Sequence, residues 1–155
     1  MADLEQLDQT YHFILERFVE TGQAPHYTDI AQNFSLSPDE GKQRLHDLME
    51  VALPNWLCPD TDLIASFAPF NNLPTHYRVS VDGEQKWFAQ CGLESLAISW
   101  LFPGKAVQVD APCLDCGEPM RIVVCDGAIE EAEPEGVCFY VNLPVREWYN
   151  NLPFA

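Results

Sequence analysis

Apolar positions in the first third of the chain recur at helical spacing. Leu4, Leu7, Tyr11, Ile14, Leu15 and Phe18 fall near a 3.6-residue period, predicting an amphipathic helix over residues 3–20. The stretch "TGQAP" ends it. Thr28 is placed to cap a short helix through Phe34. Ser37 caps another, with Pro38 at the first helical position and Glu40 closing a capping box. Leu45, Leu48 and Met49 of that helix then face inward.

The pattern changes after Pro54. "LIASFAPF" reads as a strand or a wing, broken at Pro69. "HYRVSVDGEQKWFAQC" alternates on both sides of Asp82-Gly83, which predicts a hairpin. An apolar helix follows from about Leu93 to Leu101 and stops at Pro103-Gly104. "AVQVDAPC", "PMRIVVC" and "GVCFYVNLP" are three further strand candidates. "IEEAEPEG" reads as an acidic connector and "VREWYNNLPFA" as a turn of helix with a tail. The expected fold class is α+β. A three-helix, winged-helix-like unit over residues 1–70 packs on a small mixed β-sheet domain with one buried helix, residues 71–155.

Charge narrows the partners. Eight Lys and Arg stand against 24 Asp and Glu, for a formal net charge of −16. Such a surface repels phosphate backbones and anionic lipid, so neither nucleic acid nor membrane is an expected partner. The helix-turn-helix shape does not overturn this. Its second helix sets Lys42 and Arg44 against Asp39, Glu40, Asp47 and Glu50, and a DNA reader needs a basic face. "MADLEQLDQTYHF" shows no basic, apolar leader pattern. The expected location is cytoplasmic, where a disulfide framework is the weaker use of six cysteines.

Two groups of cysteines carry candidate chemistry. Cys113 and Cys116 form a C-x-x-C knuckle, "CLDCG". It could be half of a zinc site completed by Cys125 and Cys138, a redox pair, or incidental. Cys91 stands at or beside the start of the apolar helix, with Glu94 one turn on. Helix N–H groups there would lower the thiol pKa, and both side chains can project toward one point. The plainer alternative is a helix-capping Glu94 beside a core Cys91.

The run "YRVSVDGEQKWFAQCGLESLAISWLFPGKAVQVDAPCLDCGEPMRIVV" resembles the organomercurial (alkylmercury) lyase family. Cys91, Leu93, Gly104, Val109, Cys113, Gly117 and Pro119 fall at matching positions, and "AEPEG" (Ala132 to Gly136) is similar to a family segment. The resemblance implies a winged-helix-like N-terminal unit that does not bind DNA. It also implies protonolysis of a carbon–mercury bond, with an organomercurial small molecule as substrate and small cellular thiols removing Hg(II). No resident cofactor is required. Two thiolates and a carboxylate do this work in the family. Cys91 would be the first thiolate, and Glu94 would stand where the family usually has aspartate. Cys138 would be the second thiolate if "CFYVNLPVREW" is aligned through Val141, Asn142 and Trp148. Aligning "AEPEG" instead puts Cys138 on a non-catalytic position. Cys113 matches a structural cysteine of the family, while Cys116 and Cys125 are additional here. Two other functions stay open: a homologue that binds heavy metal without cleavage, and a zinc-bearing module using Cys113, Cys116, Cys125 and Cys138.

Overall fold

In a computed structural model of the chain, residues 3–52, 54–139, 141 and 143–148 are described. The helices come first: α1 (Leu4–Thr21), α2 (Tyr27–Asn33) and α3 (Pro38–Val51). Strands β1 (Trp56–Leu57), β2 (Ile64–Phe67), β3 (Phe70–Asn71), β4 (Arg78–Val81) and β5 (Glu84–Ala89) follow. Helix α4 (Gly92–Ala97) runs into a 3-10 turn, Ile98–Leu101. The chain continues through β6 (Val107–Pro112), β7 (Pro119–Cys125), β8 (Ala128–Glu133) and α5 (Val145–Trp148).

Local chemistry explains the helix boundaries. The Asp3 side chain accepts the N–H of Glu5 at the start of α1, and Gly22 ends the helix in the left-handed region at φ 76. A side chain at Gly22 would also strike Lys86, with Cγ 2.5 Å and the carbonyl oxygen 2.7 Å from an added Cβ. The Ser37–Glu40 capping box on α3 forms as expected. On α2 the cap is His26 rather than Thr28: its ring accepts the Thr28 N–H, while Asp29 accepts the His26 N–H. Gly41 lets α3 lie against α2, since a Cβ there would come within 2.6 Å of the Ala31 Cβ.

The eight strands form one sheet in the order β1-β2-β3-β5-β4-β6-β7-β8. Every pairing is antiparallel, so the expected mixed sheet is corrected to an antiparallel one. Asp82 and Gly83 take positive φ (51 and 83) at the β4–β5 turn, as the Asp-Gly hairpin signal requires. Two expectations fail downstream. The acidic connector contains β8, whose side chains are almost all exposed, so it shows no alternation of apolar and polar positions. Val137–Phe139 is not a strand, while Tyr140 and Asn142 of that expected strand lie outside the described residues.

Residue 70 lies within β3, inside the sheet, and one apolar core draws on both sides of it. Leu7, Ile14 and Phe18 of α1 and Leu45 and Leu48 of α3 pack with Phe67, Phe70, Val79, Trp87 and Val109. Phe18 stacks on Phe70 with ring centroids 5.1 Å apart, and the Trp87 indole N–H donates to the Phe18 carbonyl at 2.7 Å. The helix after Cys91 is buried on one face only: Gly92, Ser95, Ile98 and Ser99 point inward, while Leu93 and Trp100 are exposed. No helix among the described residues is long and apolar enough to cross a membrane.

Candidate active site

The register of the sheet brings three cysteine-bearing segments to one end. Phe88, Arg78, Asp110, Arg121 and Glu133 form a row across β5, β4, β6, β7 and β8. Because all pairings are antiparallel, β5, β6 and β8 run the same way. Each leaves the row at the same edge of the sheet. Cys91 follows β5, Cys113 follows β6 and Cys138 follows β8.

Cys91 is held from both sides. The preceding residue, Gln90, donates its backbone N–H to the Pro69 carbonyl (3.0 Å) and its side-chain amide to the Pro54 carbonyl (2.6 Å). Cys91 itself is the extended N-cap of α4, at φ −149 and ψ 175, and its sulfur accepts the Glu94 N–H at 3.5 Å. Ser95 donates its N–H to the Cys91 carbonyl and its hydroxyl to the Gly92 carbonyl (2.6 Å), fixing the first turn. Gly92 is buried under two aromatic side chains. An added Cβ would lie 3.0 Å from Phe139 and 3.3 Å from Tyr77.

This site favours protonated groups. Burial pushes the Glu94 carboxyl up to about 7. Its Oε2 is buried and finds no hydrogen-bond partner among the described residues. The Cys91 thiol is also raised, chiefly by burial and further by the Glu94 charge, against the opposing pull of the Glu94 and Leu93 N–H groups. The sequence expectation of a depressed thiol pKa is therefore corrected. The helix N–H groups act as expected, but desolvation outweighs them. Two tyrosines that the sequence analysis did not single out as site residues complete the surroundings. Tyr11 of α1 is raised by burial and by the Glu94 charge, and Tyr77 by burial and by the Cys91 charge. Tyr11 carries only a core-face signal in the sequence, because its proximity to Glu94 arises from docking α1 onto the sheet.

Cys91 and Glu94 are thus brought together. Cys138 is exposed, one residue before Phe139, on the segment that returns from β8 to cover Gly92. Among the described residues no three His, Cys, Asp or Glu side chains stand as a metal-holding group. The four-cysteine zinc set is not assembled. Cys113 and Cys116 lie before the start of β7 and Cys125 at its far end, a separation of about 20 Å at ~3.4 Å per residue. The knuckle itself is ordered: Cys113 donates its N–H to the Glu118 carbonyl (2.7 Å) and accepts the Gly117 N–H at its own carbonyl (2.8 Å). N–H groups of Cys116 and Asp115 and the Cys116 side chain hold the Cys113 thiol below its usual range. Cys58, near β1, donates its N–H to the Leu63 carbonyl, away from these groups.

Fold and site together define an α+β protein with a thiol–acid centre, in which a helix-capping cysteine shares one turn with a desolvated carboxyl. The chain belongs to the alkylmercury lyase family, whose model matches residues 70–152. Curated alkylmercury lyases from Bacillus cereus and Clostridium butyricum are each 37% identical over 62 residues. That stretch is 40% of this chain and spans only 28% of each relative. The fold is similar to the crystal structure of the mercury-bound form of MerB2, at a TM-score of 0.58 and 16% identity, covering 84% of this chain and 68% of that one.

Proposed function

We propose that the chain cleaves carbon–mercury bonds by protonolysis, with Cys91, Glu94 and Cys138 as the reacting groups and an organomercurial as substrate. The observation that carries this reading is a carboxyl poised near 7 on the same helical turn as the Cys91 thiol. Mercury is soft and prefers thiolate sulfur over oxygen or nitrogen. In the first step the Glu94 carboxylate takes the Cys91 proton as sulfur bonds to mercury and a small thiolate leaves. Cys138 adds a second Hg–S bond after losing its own proton to solvent, which pushes electron density onto the bound carbon. Protonated Glu94 then delivers its proton to that carbon. The C–Hg bond breaks, hydrocarbon leaves, and Hg(II) stays on sulfur until small thiols remove it. A group near 7 suits both halves, because acid and base forms are both populated at neutral pH.

The exposure of Cys138 favours a second reading, in which the site holds mercury without cleaving carbon. One assay separates the two. Methylmercury with excess 2-mercaptoethanol yields methane if the first holds, and Cys91→Ser stops it. Tight Hg(II) retention with no methane from folded protein selects the second.

A further inference from the structure

Cys113 and Cys116 have no role in the chemistry above, yet the fold sets them beside it. Phe88 of β5 and Asp110 of β6 both pair with Arg78 of β4. The two flanking strands are therefore about 10 Å apart at this level, two strand spacings of ~4.8 Å. Cys91 lies three residues beyond Phe88, and Cys113 three beyond Asp110, at the same end of the sheet. A groove of about 390 Å³ occupies the space next to the knuckle. His76 and Arg78 line one side, Gly117, Pro119 and the Met120 thioether the other. His76, which lines the groove, directly precedes Tyr77, which packs beside Gly92, and Gly117 of the same lining belongs to the knuckle.

The knuckle is built to present sulfur. Two backbone hydrogen bonds close it, Gly117 takes the left-handed conformation (φ 77), and the Cys116 side chain helps to hold the Cys113 thiol below its usual range. Cys116 is exposed and Cys113 half-buried. Two thiols on one short turn bind a soft cation as a chelate, which single small thiols cannot match at equal concentration.

We propose that Cys113 and Cys116 form a second, two-sulfur site for Hg(II), which receives the ion from Cys91 by ligand exchange. The transfer rests on the reading that the reaction leaves Hg(II) on Cys91; the binding does not. Two Hg–S bonds form at the knuckle, with loss of two thiol protons. The bonds to Cys91 and its co-ligand break, and those two sulfurs take up the protons. Nothing is oxidised or reduced.

The test uses mercuric chloride with excess 2-mercaptoethanol as competitor. Cys91→Ser protein should retain about one equivalent of Hg(II), and the Cys91→Ser/Cys116→Ser double variant should lose it. Equal retention by the double variant, or none by Cys91→Ser, overturns the site. Wild-type protein loaded with a single equivalent gives the second readout, by alkylation and peptide mapping. Cys113 and Cys116 should become protected while Cys91 regains reactivity. Persistent protection of Cys91 with a reactive knuckle overturns the transfer. Failure of the lyase reading shows elsewhere, as absence of hydrocarbon from methylmercury, and leaves these Hg(II) measurements interpretable.

Discussion

The Glu94 N–H donates to the sulfur of Cys91 at 3.5 Å, and the Glu94 carboxyl shares that turn with one oxygen buried and unpartnered among the described residues. A capping bond ordinarily does no more than satisfy a helix end. In the proposed mechanism it also fixes the spacing between the mercury-binding thiol and the proton donor. Glu94→Gln keeps the shape and removes the transferable proton. We expect hydrocarbon release to fall about 10²–10⁴-fold, the usual worth of a positioned acid or base. Retention of inorganic Hg(II) at equilibrium, read by dialysis, should change little, because solvent can take the thiol protons in place of Glu94.

The same substitution should alter the pH profile. In the proposed mechanism the rate of organomercurial capture depends on Glu94 as carboxylate, because only that form accepts the thiol proton. Below about 7 the group is protonated, so kcat/KM should fall as pH drops through this value. In Glu94→Gln the inflection should disappear. A wild-type profile flat between pH 5 and 8 would remove Glu94 from the capture step.

Stability should follow the opposite trend. Folding raises the Glu94 carboxyl from its ordinary 4.5 to about 7, so the folded state binds the proton more tightly than the unfolded state. Its contribution is fully present below about 4.5 and is lost as pH rises through about 7. A shift of this size corresponds to at most about 3 kcal/mol, and partial solvent access brings it to about 1–2 kcal/mol. The stability difference between wild type and Glu94→Gln, measured in urea, should change by that amount between pH 4 and pH 8. Wild type should be relatively stronger in acid.

Much of this arrangement is legible in the sequence, and the gaps have physical reasons. The periodicity of α1, the Ser37–Glu40 box and the Asp82-Gly83 turn are local signals, and each element forms where its signal lies. Cys91 and Glu94 are legible as a pair because an N-cap and its third helical residue always meet. The direction of the Cys91 shift is not, because it is set by burial that depends on tertiary packing. β8 escapes notice because an exposed edge strand need not alternate. His26 displaces Thr28 as the cap of α2 by making both bonds of a capping box, a role that Ser or Thr more often fills.

Gly92 should be the most sensitive small residue near the site. An Ala there places a methyl group against the Phe139 and Tyr77 rings at 3.0 and 3.3 Å. Helix propensity favours Ala by up to ~1 kcal/mol, while overpacking costs about 1–3 kcal/mol. The net loss of stability should be about 1 kcal/mol. Activity should suffer more, because Phe139 carries Cys138 on its neighbouring residue. Parallel thermal melts and methane assays check this. A variant with full activity would show that the Phe139 contact does not position the second thiol.

The N-terminal helices reach the site through α1, which Phe18 helps to anchor on the sheet. Trp87 donates its indole N–H to the Phe18 carbonyl at 2.7 Å, and Phe18 stacks on Phe70. Both contacts dock α1 on the sheet, and α1 supplies Tyr11 near Glu94. Trp87→Phe keeps an aromatic ring but removes the donor, and should cost about 1–2 kcal/mol. Phe18→Ala empties a fully buried position and should cost about 3–5 kcal/mol. Loosening α1 admits water to Glu94, so its carboxyl should return toward ordinary values. The kcat/KM inflection of Trp87→Phe should therefore move below that of wild type, toward the ordinary 4.5 of a glutamate. If the variant loses stability but keeps its inflection near 7, burial of Glu94 arises from α4 and the segment covering it, with no contribution from α1.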